Sequence, residues 1–301
     1  RKMKHLIDIK SLTNDEILEI TELARYYEEH VPKGTQKKKK AGSTALLFFE
    51  NSTRTRFSFE MASKKLGFSA FNFDAQKSSI LKGEGFFDTL NNLNAIGCDI
   101  AIIRHSKEGF IEELSKKEYD WGLSLVNAGE GQSSHPTQAL LDFYTLQKHL
   151  KTVEGKKITI VGDIIHSRVA KSNIELLTRF GAHVVCCSPS YFEDWTLTNA
   201  KYEPVLKDAL NDADAVMGLR IQKERIETRV PYAQYIEDYQ IKESNLPKKT
   251  ILMHPGPVNR DVEIEGALLD SNRGKIITEQ ARNGVFVRMA VLDLIYEGTK
   301  R

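Results

Sequence analysis

Across 301 residues, 41% are hydrophobic, which is enough to bury a core and long enough for about two domains. Lysine and arginine (43) nearly cancel aspartate and glutamate (41), and a net charge of +2 argues against a dedicated nucleic-acid binder, which carries a basic excess. Cys98, Cys186 and Cys187 are odd in number with two adjacent, so no disulfide framework is indicated, and a cytoplasmic protein is expected: no run approaches the roughly 20 apolar residues of a membrane span, and no leader pattern opens the chain.

Strand-like and helix-like segments alternate along the chain. Thr13 and Glu16 form a capping-box signature ahead of Ile17, Ile20 and Ala24 at helical spacing. "STALLFF" (43–49) reads as a buried strand, and Phe59, Ala62 and Leu66 predict a helix that Gly67 ends. "FSAFNFD" reads as a strand, "FFDTLNNLNAIG" as a helix, and "CDIAIIR" (98–104) and "LSLVNAG" as strands. Pro136 suits a first helical position, and Ala139, Phe143, Leu146 and Leu150 continue a helical stripe behind it.

The pattern restarts with the strand "KKITIVGD" (156–163) and a helix carrying Val169, Leu176, Leu177 and Phe180, closed by Gly181. Next come the strand "HVVCCS", a helical stretch reaching about Leu210, and the strands "DAVMGLR" (214–220) and "TILMHP" (250–255). Val285, Met289, Leu292 and Tyr296 mark a last helix. Short apolar strands alternating with amphipathic helices imply parallel sheets covered on both faces. The expected fold is α/β, with two doubly wound parallel-sheet domains joined by a bridging helix after Pro136. The first domain is expected over 1–147, with the C-terminal helix 285–301 packing back on it, and the second over 148–284. "KKKK" (37–40) reads as a solvated loop.

Ligands of open parallel sheets bind outside the carboxyl ends of the strands, so the residues there carry the functional signal. After 43–49 stands Ser52-Thr53-Arg54-Thr55. Later strand ends bring Arg104 with His105, His135 with Gln138, "HSR" with Arg168, Arg220 with Gln222, and "HPGPVNR". Acids are few there beyond Glu50, Asp163 and Glu224. Hydroxyls and an arginine fork at a helix N-terminus make an oxyanion site, with phosphate as its natural guest. A serine N-cap followed by surface arginines would explain "STRT" alone equally well; five further polar strand ends favour the oxyanion reading. The glycines of a Walker loop and the G-x-G-x-x-G pattern are missing, as are metal-ligand spacing and a G-x-S-x-G elbow. A site rich in positive charge and poor in nucleophiles suits a reaction between two anions, positioned together without a covalent intermediate.

"FFENSTRTRFSFE", "KSSILKGE", "IIRH", "HPTQALLD", "GDIIHSRVAKSN", "LRIQKER" and "MHPGPVNRDVEI", in this order, resemble the aspartate carbamoyltransferase catalytic-chain family. The match spans nearly the whole chain. "STRT" and "HPTQ" belong to carbamoyltransferases generally, whereas "LRIQKER" and "HPGPVNR" point to aspartate as second substrate. The ornithine branch typically has H-C-L-P where this chain has His254-Pro255-Gly256-Pro257.

The resemblance implies carbamoyl phosphate and L-aspartate as substrates, giving N-carbamoyl-L-aspartate and phosphate. It gives Ser52, Thr53, Arg54 and Thr55 to the phosphate. Arg104 bridges the phosphate and the carbamoyl oxygen, to which Thr55 and His135 also donate. Gln138 accepts from the carbamoyl amide, together with backbone carbonyls near Pro255 and Gly256, in a contact region that includes Pro257. Arg168, Arg220 and Gln222 hold the aspartate carboxylates. Ser78 and Lys82 sit on a loop that completes the neighbouring chain's site, with Lys82 reaching both substrates, so a homotrimer at least is implied. Glu50 pairs with Arg168 and Arg225 as the domains close. No metal or organic cofactor, nucleic acid or membrane is implied, and regulatory chains are partners the resemblance allows. Two other readings compete: a carbamoyltransferase for another amine such as ornithine, and a catalytically silent scaffold subunit. Arg220 and Gln222 disfavour a cationic amine, and intact Lys82, Arg104 and His135 argue against silence.

Overall fold

A computed structural model describes residues 3–36, 39–73, 85–117 and 122–299. The chain forms two units, Arg1–Leu140 with Asn283–Arg301, and Leu141–Arg282.

In the first unit, α1 (Asn14–His30) begins with the predicted capping box: the Glu16 N–H donates to Thr13 Oγ1 at 3.1 Å, and the Thr13 N–H donates to Glu16 Oε2 at 2.8 Å. There follow β1 (Ser43–Phe48), α2 (Thr53–Leu66), β2 (Ser69–Phe73), α3 (Phe86–Ile96), β3 (Ile100–His105), α4 (Phe110–Ser115), β4 (Ser124–Glu130) and α5 (Pro136–Leu150), which begins in this unit and belongs to the second from Leu141 on. All pairings are parallel, in the order β2-β1-β3-β4. The inner strands β1 and β3 are largely apolar and buried almost throughout, as a sheet covered on both faces requires; the edge strand β4 is buried as well, while β2 at the other edge is mostly exposed. Leu47, Ala101, Ile103 and Leu125 pack with Leu90, Ile111 and Leu114 into one core.

The second unit carries β5 (Lys157–Val161), α6 (Arg168–Arg179), β6 (His183–Cys187), β7 (Lys201–Tyr202), α7 (Leu206–Leu210), β8 (Ala215–Gly218), α8 (Lys223–Glu227), α9 (Tyr232–Tyr239), β9 (Ile251–Met253) and α10 (Gly266–Asp270). Its parallel sheet runs β7-β6-β5-β8-β9. Val161, Val185, Cys187, Val216 and Leu252 form its core with Leu210, Ile241 and Ile264.

One expectation is corrected here. The helical stretch between "HVVCCS" and Leu210 is a 3-10 turn (Ser190–Phe192), a loop, the two-residue strand β7 and the short α7. Pro189 and Pro204 bracket the loop, and Asp194 folds it locally by accepting from the Thr196 N–H at 3.0 Å and its hydroxyl at 2.6 Å. Such side-chain bonds compete with a helix.

The last helix, α11 (Lys275–Thr299), joins the first unit from Asn283 on. Arg288 Nη1 donates to Ser58 Oγ on α2 at 2.8 Å, the Tyr27 hydroxyl donates to Asp293 at 2.5 Å, and Lys40 pairs with Asp293 and Glu297. The C-terminal helix therefore packs back on the first half.

Candidate active site

The order β2-β1-β3-β4 reverses direction between β1 and β3. The connections leaving those two strands diverge to opposite faces and open a crevice. Phe48 and Arg104 are register partners across it, and the Phe49 N–H donates to the Arg104 carbonyl at 2.9 Å. Ser52-Thr53-Arg54-Thr55 lies at the same rim, with Ser52 as the N-cap of α2. The Ser52 hydroxyl does not cap the helix, and no acid stands in the first turn. The first N–H groups of a helix lack intrahelical acceptors, so this turn presents donors and the positive end of the helix dipole to an anion. Thr55 is buried, whereas Thr53 and Arg54 are exposed.

Arg104 is held from two sides. Its Nη1 donates to the Ala128 carbonyl on β4 at 3.1 Å, and its Nε lies 3.6 Å from Glu50 Oε2. His135 and Gln138 are both buried. His135 immediately precedes α5, and its carbonyl accepts from the Gln138 and Ala139 N–H groups at 3.1 and 3.3 Å. The residues leading to it are fixed by Asn127, which donates to the Ile7 carbonyl at 2.7 Å and accepts from the Gly129 N–H at 2.8 Å. His105 belongs to the packing. It stacks on Phe110 with ring centres 4.2 Å apart, and burial lowers its pKa.

The second sheet reverses direction between β5 and β8. The two loops approach so closely there that a side chain at Gly162, whose φ is +136°, would meet Leu219 Cβ at 2.9 Å, so only glycine fits. After β5, Asp163 is buried and accepts from His166 Nδ1 at 2.8 Å and Arg225 Nη1 at 3.1 Å. Arg168 opens α6 behind Ser167, whose hydroxyl accepts the Ala170 N–H at 3.0 Å. Beyond β8, Arg220 and Gln222 are exposed. Among the described residues the side chains of Arg54, Arg220 and Gln222 make no hydrogen bond or ion pair within the chain.

Sequence reasoning missed what holds Arg220 and Gln222 in place. The backbone of Ile221, between them, is gripped at both ends. Its N–H donates to Glu263 Oε1 at 2.8 Å, and its carbonyl accepts from Asn259 Nδ2 at 2.9 Å. Asn259 also gives Glu263 its N–H at 2.8 Å and its Nδ2–H at 2.9 Å. Burial raises the Glu263 pKa while these backbone and amide donors oppose the rise. The signal lay in "HPGPVNRDVEI", whose asparagine and glutamate sit four residues apart. Gly256 and Pro257 follow β9 in the same segment. Ser78 and Lys82 lie outside the described residues. No His, Cys, Asp or Glu group among the described residues is arranged to hold a metal ion, and no helix there is long and apolar enough to cross a membrane.

Sequence models of two parts of one family match in tandem. The aspartate/ornithine carbamoyltransferase carbamoyl-P binding domain covers residues 4–148, and the Asp/Orn binding domain covers residues 154–295. The aspartate carbamoyltransferase catalytic subunit of Thermus aquaticus is 44% identical over 99% of this chain and 100% of its own. The protein of that name from a Nitratiruptor species is 45% identical over 96% and 97%. Among solved structures, the catalytic subunit of M. jannaschii aspartate transcarbamoylase superposes with a TM-score of 0.84 at 35% identity, covering 98% of both chains. Aspartate transcarbamoylase from Trypanosoma cruzi, in complex with N-(phosphonacetyl)-L-aspartic acid, gives 0.83 at 28% identity, covering 97% and 95%.

Proposed function

The chain belongs to the aspartate/ornithine carbamoyltransferase family, and from that premise we infer that it transfers the carbamoyl group of carbamoyl phosphate to L-aspartate, giving N-carbamoyl-L-aspartate and phosphate. The observation that supports the chemistry is that Ser52–Thr55 follow β1 and Arg104 ends β3, the two strands between which the first sheet reverses direction, while His135 follows the neighbouring strand β4.

In this reading Ser52, Thr53, Arg54 and Thr55 bind the phosphate through hydroxyls, helix N–H groups and one guanidinium. Arg104, Thr55 and His135 donate to the carbamoyl oxygen and stabilise the negative charge it gains as the amine attacks the carbonyl carbon. Gln138 and the carbonyls near Pro255 and Gly256 accept from the carbamoyl amide, placing Gly256 and Pro257 against the substrate. Arg168, Arg220 and Gln222 take the two aspartate carboxylates. The C–N bond forms, the C–O bond to phosphate breaks, and the departing phosphate accepts the amine proton and leaves as the hydrogen phosphate dianion. On substrate binding Glu50 meets Arg168 and Arg225. Ser78 and Lys82 serve the site of a neighbouring chain, which makes the working unit a homotrimer. The product places the enzyme at the committed step towards pyrimidines, in the cytoplasm, with regulatory chains as further partners.

The test is formation of carbamoyl-aspartate by the purified chain, with ornithine assayed in parallel and native mass measured on the same sample. Turnover with ornithine alone overturns the aspartate reading. No turnover with either amine leaves a silent scaffold subunit.

A further inference from the structure

In the second unit a polar chain runs through the buried interior and ends on a loop that the proposed reaction uses. Asp142 on α5 is fully buried, as is Asn173 on α6; Gln280 on α11 and His254 after β9 are 2% and 1% exposed. Asp142 Oδ2 accepts from Asn173 Nδ2 at 2.9 Å, and Oδ1 accepts from Gln280 Nε2 at 2.8 Å. Gln280 Oε1 accepts the His254 N–H at 3.0 Å, and His254 Nδ1 accepts the Gly256 N–H at 2.8 Å.

The polarity of this chain has no freedom. A backbone N–H can only donate, so Gln280 must turn its oxygen to His254 and its NH2 to Asp142. Asn173 Nδ2 also donates to the Val169 carbonyl at 3.0 Å, so Asn173 must turn its NH2 to Asp142 as well. A carboxylate, an acceptor at both oxygens, is the side chain that satisfies both amides. Hydrophobic burial does not call for an acid there, and an acid buried so deeply is costly unless its bonds are complete.

We propose that Asp142 is a positioning residue: through Gln280 it orients the His254–Pro257 loop whose backbone carbonyls accept the carbamoyl amide of the substrate. The inference rests on the proposed reaction for the identity of that substrate, but the orientation itself is independent of it. Gly256 has a φ of +74°, so the loop's course depends on how its ends are held. His254 is the end the relay holds, and the imidazole passes that hold to the Gly256 N–H.

Reversing the polarity tests the relay. Asp142→Asn has one acceptor for two donors, so its NH2 must stand against the NH2 of Gln280 or of Asn173. Flipping the Gln280 amide only moves the conflict to the His254 N–H. Gln280→Glu sets two carboxylates face to face. The double variant Asp142→Asn/Gln280→Glu restores each bond of the relay described above. The new amide at position 142 donates to the new carboxylate at position 280, which still accepts from His254.

Each single variant is expected to raise the carbamoyl phosphate KM roughly tenfold or more, the loss expected for a broken charge-assisted bond, with the aspartate KM changed much less. The double variant is expected to return to within about threefold of the parent. Gln280→Glu should regain function at pH 6 relative to pH 8, because the acid pair then shares a proton. If Asp142→Asn does not fold, Gln280→Glu purified at pH 6 carries the same comparison.

A second readout does not depend on activity. Pro255 and Pro257 have no N–H, so hydrogen exchange over the 254–257 peptide, taken by difference between overlapping fragments that begin upstream of 254, reports on His254 and Gly256 alone. Faster exchange in both single variants, reversed in the double, supports the relay even if the chain turns over neither amine. Single variants that lose stability but keep parental KM values and parental exchange at this peptide overturn it, as does a double variant as impaired as the singles.

Discussion

Arg104→Met tests the first half-site most sharply, because the structure predicts two separable losses. The guanidinium now satisfies the buried Ala128 carbonyl at 3.1 Å and lies 3.6 Å from Glu50. Methionine has similar reach but no donor. An acceptor left unpaired in the interior costs about 1–3 kcal/mol. The Glu50 attraction adds only about 1 kcal/mol, since the Glu50 side chain is 32% exposed and solvent screens it. The folded state should therefore weaken by about 2–4 kcal/mol, read from urea unfolding. The second loss is kinetic: removing one donor to a developing oxyanion costs about 100- to 1,000-fold in kcat. Carbamoyl-aspartate formation at saturating substrates measures it. Arg104→Lys keeps the charge but not the planar fork and should fall between parent and methionine variant in both readouts. A methionine variant that loses stability yet turns over within about threefold of the parent would show Arg104 to be a rim residue satisfying Ala128, and would refute its role at the carbamoyl oxygen.

Other substitutions and conditions separate further parts of the reading. Arg220→Ala should raise the aspartate KM at least about tenfold, leave carbamoyl phosphate binding unchanged, and shift stability by less than about 0.5 kcal/mol because the side chain is exposed; steady-state kinetics with each substrate varied, plus urea unfolding, check this. Burial, with the charge of Lys4, lowers the His5 pKa to about 4 from 6.5, and its Nδ1 accepts the Leu125 N–H at 3.0 Å. A depressed folded pKa means its stabilisation is complete above pH 6.5 and lost as pH falls towards 4. The unfolding free energy from urea curves should drop by about 1–2 kcal/mol between pH 7.5 and 5, after allowance for solvent around the half-buried ring, and His5→Gln should flatten the slope. Burial pushes Cys98 to about 11 and Cys186 and Cys187 to about 12, so a disulfide reagent at pH 8 should label the native protein far more slowly than the unfolded chain, in which all three thiols react.

The fold was legible where burial dictates composition. "ALLFF", "IAIIR" and "ITIV" are strands covered on both faces, and such strands have to be apolar runs. Two-residue β7 left no such trace: Lys201 and Tyr202 join the sheet by pairing with Val185 and Cys186, and neither residue's character announces that. The candidate site stood out for a related reason. A sheet that reverses direction puts its ligand-binding residues at strand ends, and those polar residues interrupt the apolar runs. Their supports were not legible, because each depends on a distant partner. Asp142 meets Gln280 across 138 positions, Ile221 meets Glu263 across 42, and Arg288 reaches Ser58 across 230. No local pattern encodes such pairs. They become visible only when the fold has brought the chain together.

The described contacts also sort the cations by role. Arg104 and Arg225 already hold acids of their own unit, Glu50 and Asp163. A guanidinium facing a carboxylate offers an incoming anion less attraction, but its direction is fixed beforehand, and fixed donors are what a transition state rewards. Arg54 and Arg220 are exposed and make no ion pair among the described residues. They give their full charge to a substrate and lose side-chain freedom when it binds. Such residues strengthen ground state and transition state alike. Loss of Arg220 should accordingly appear in KM, and loss of Arg104 in kcat. Arg54 belongs with Arg220 on this ground, unless the phosphate it faces gains charge as it departs. In that case its loss also slows turnover, and the ratio of its kcat and KM effects measures how far the phosphate bond has broken at the transition state.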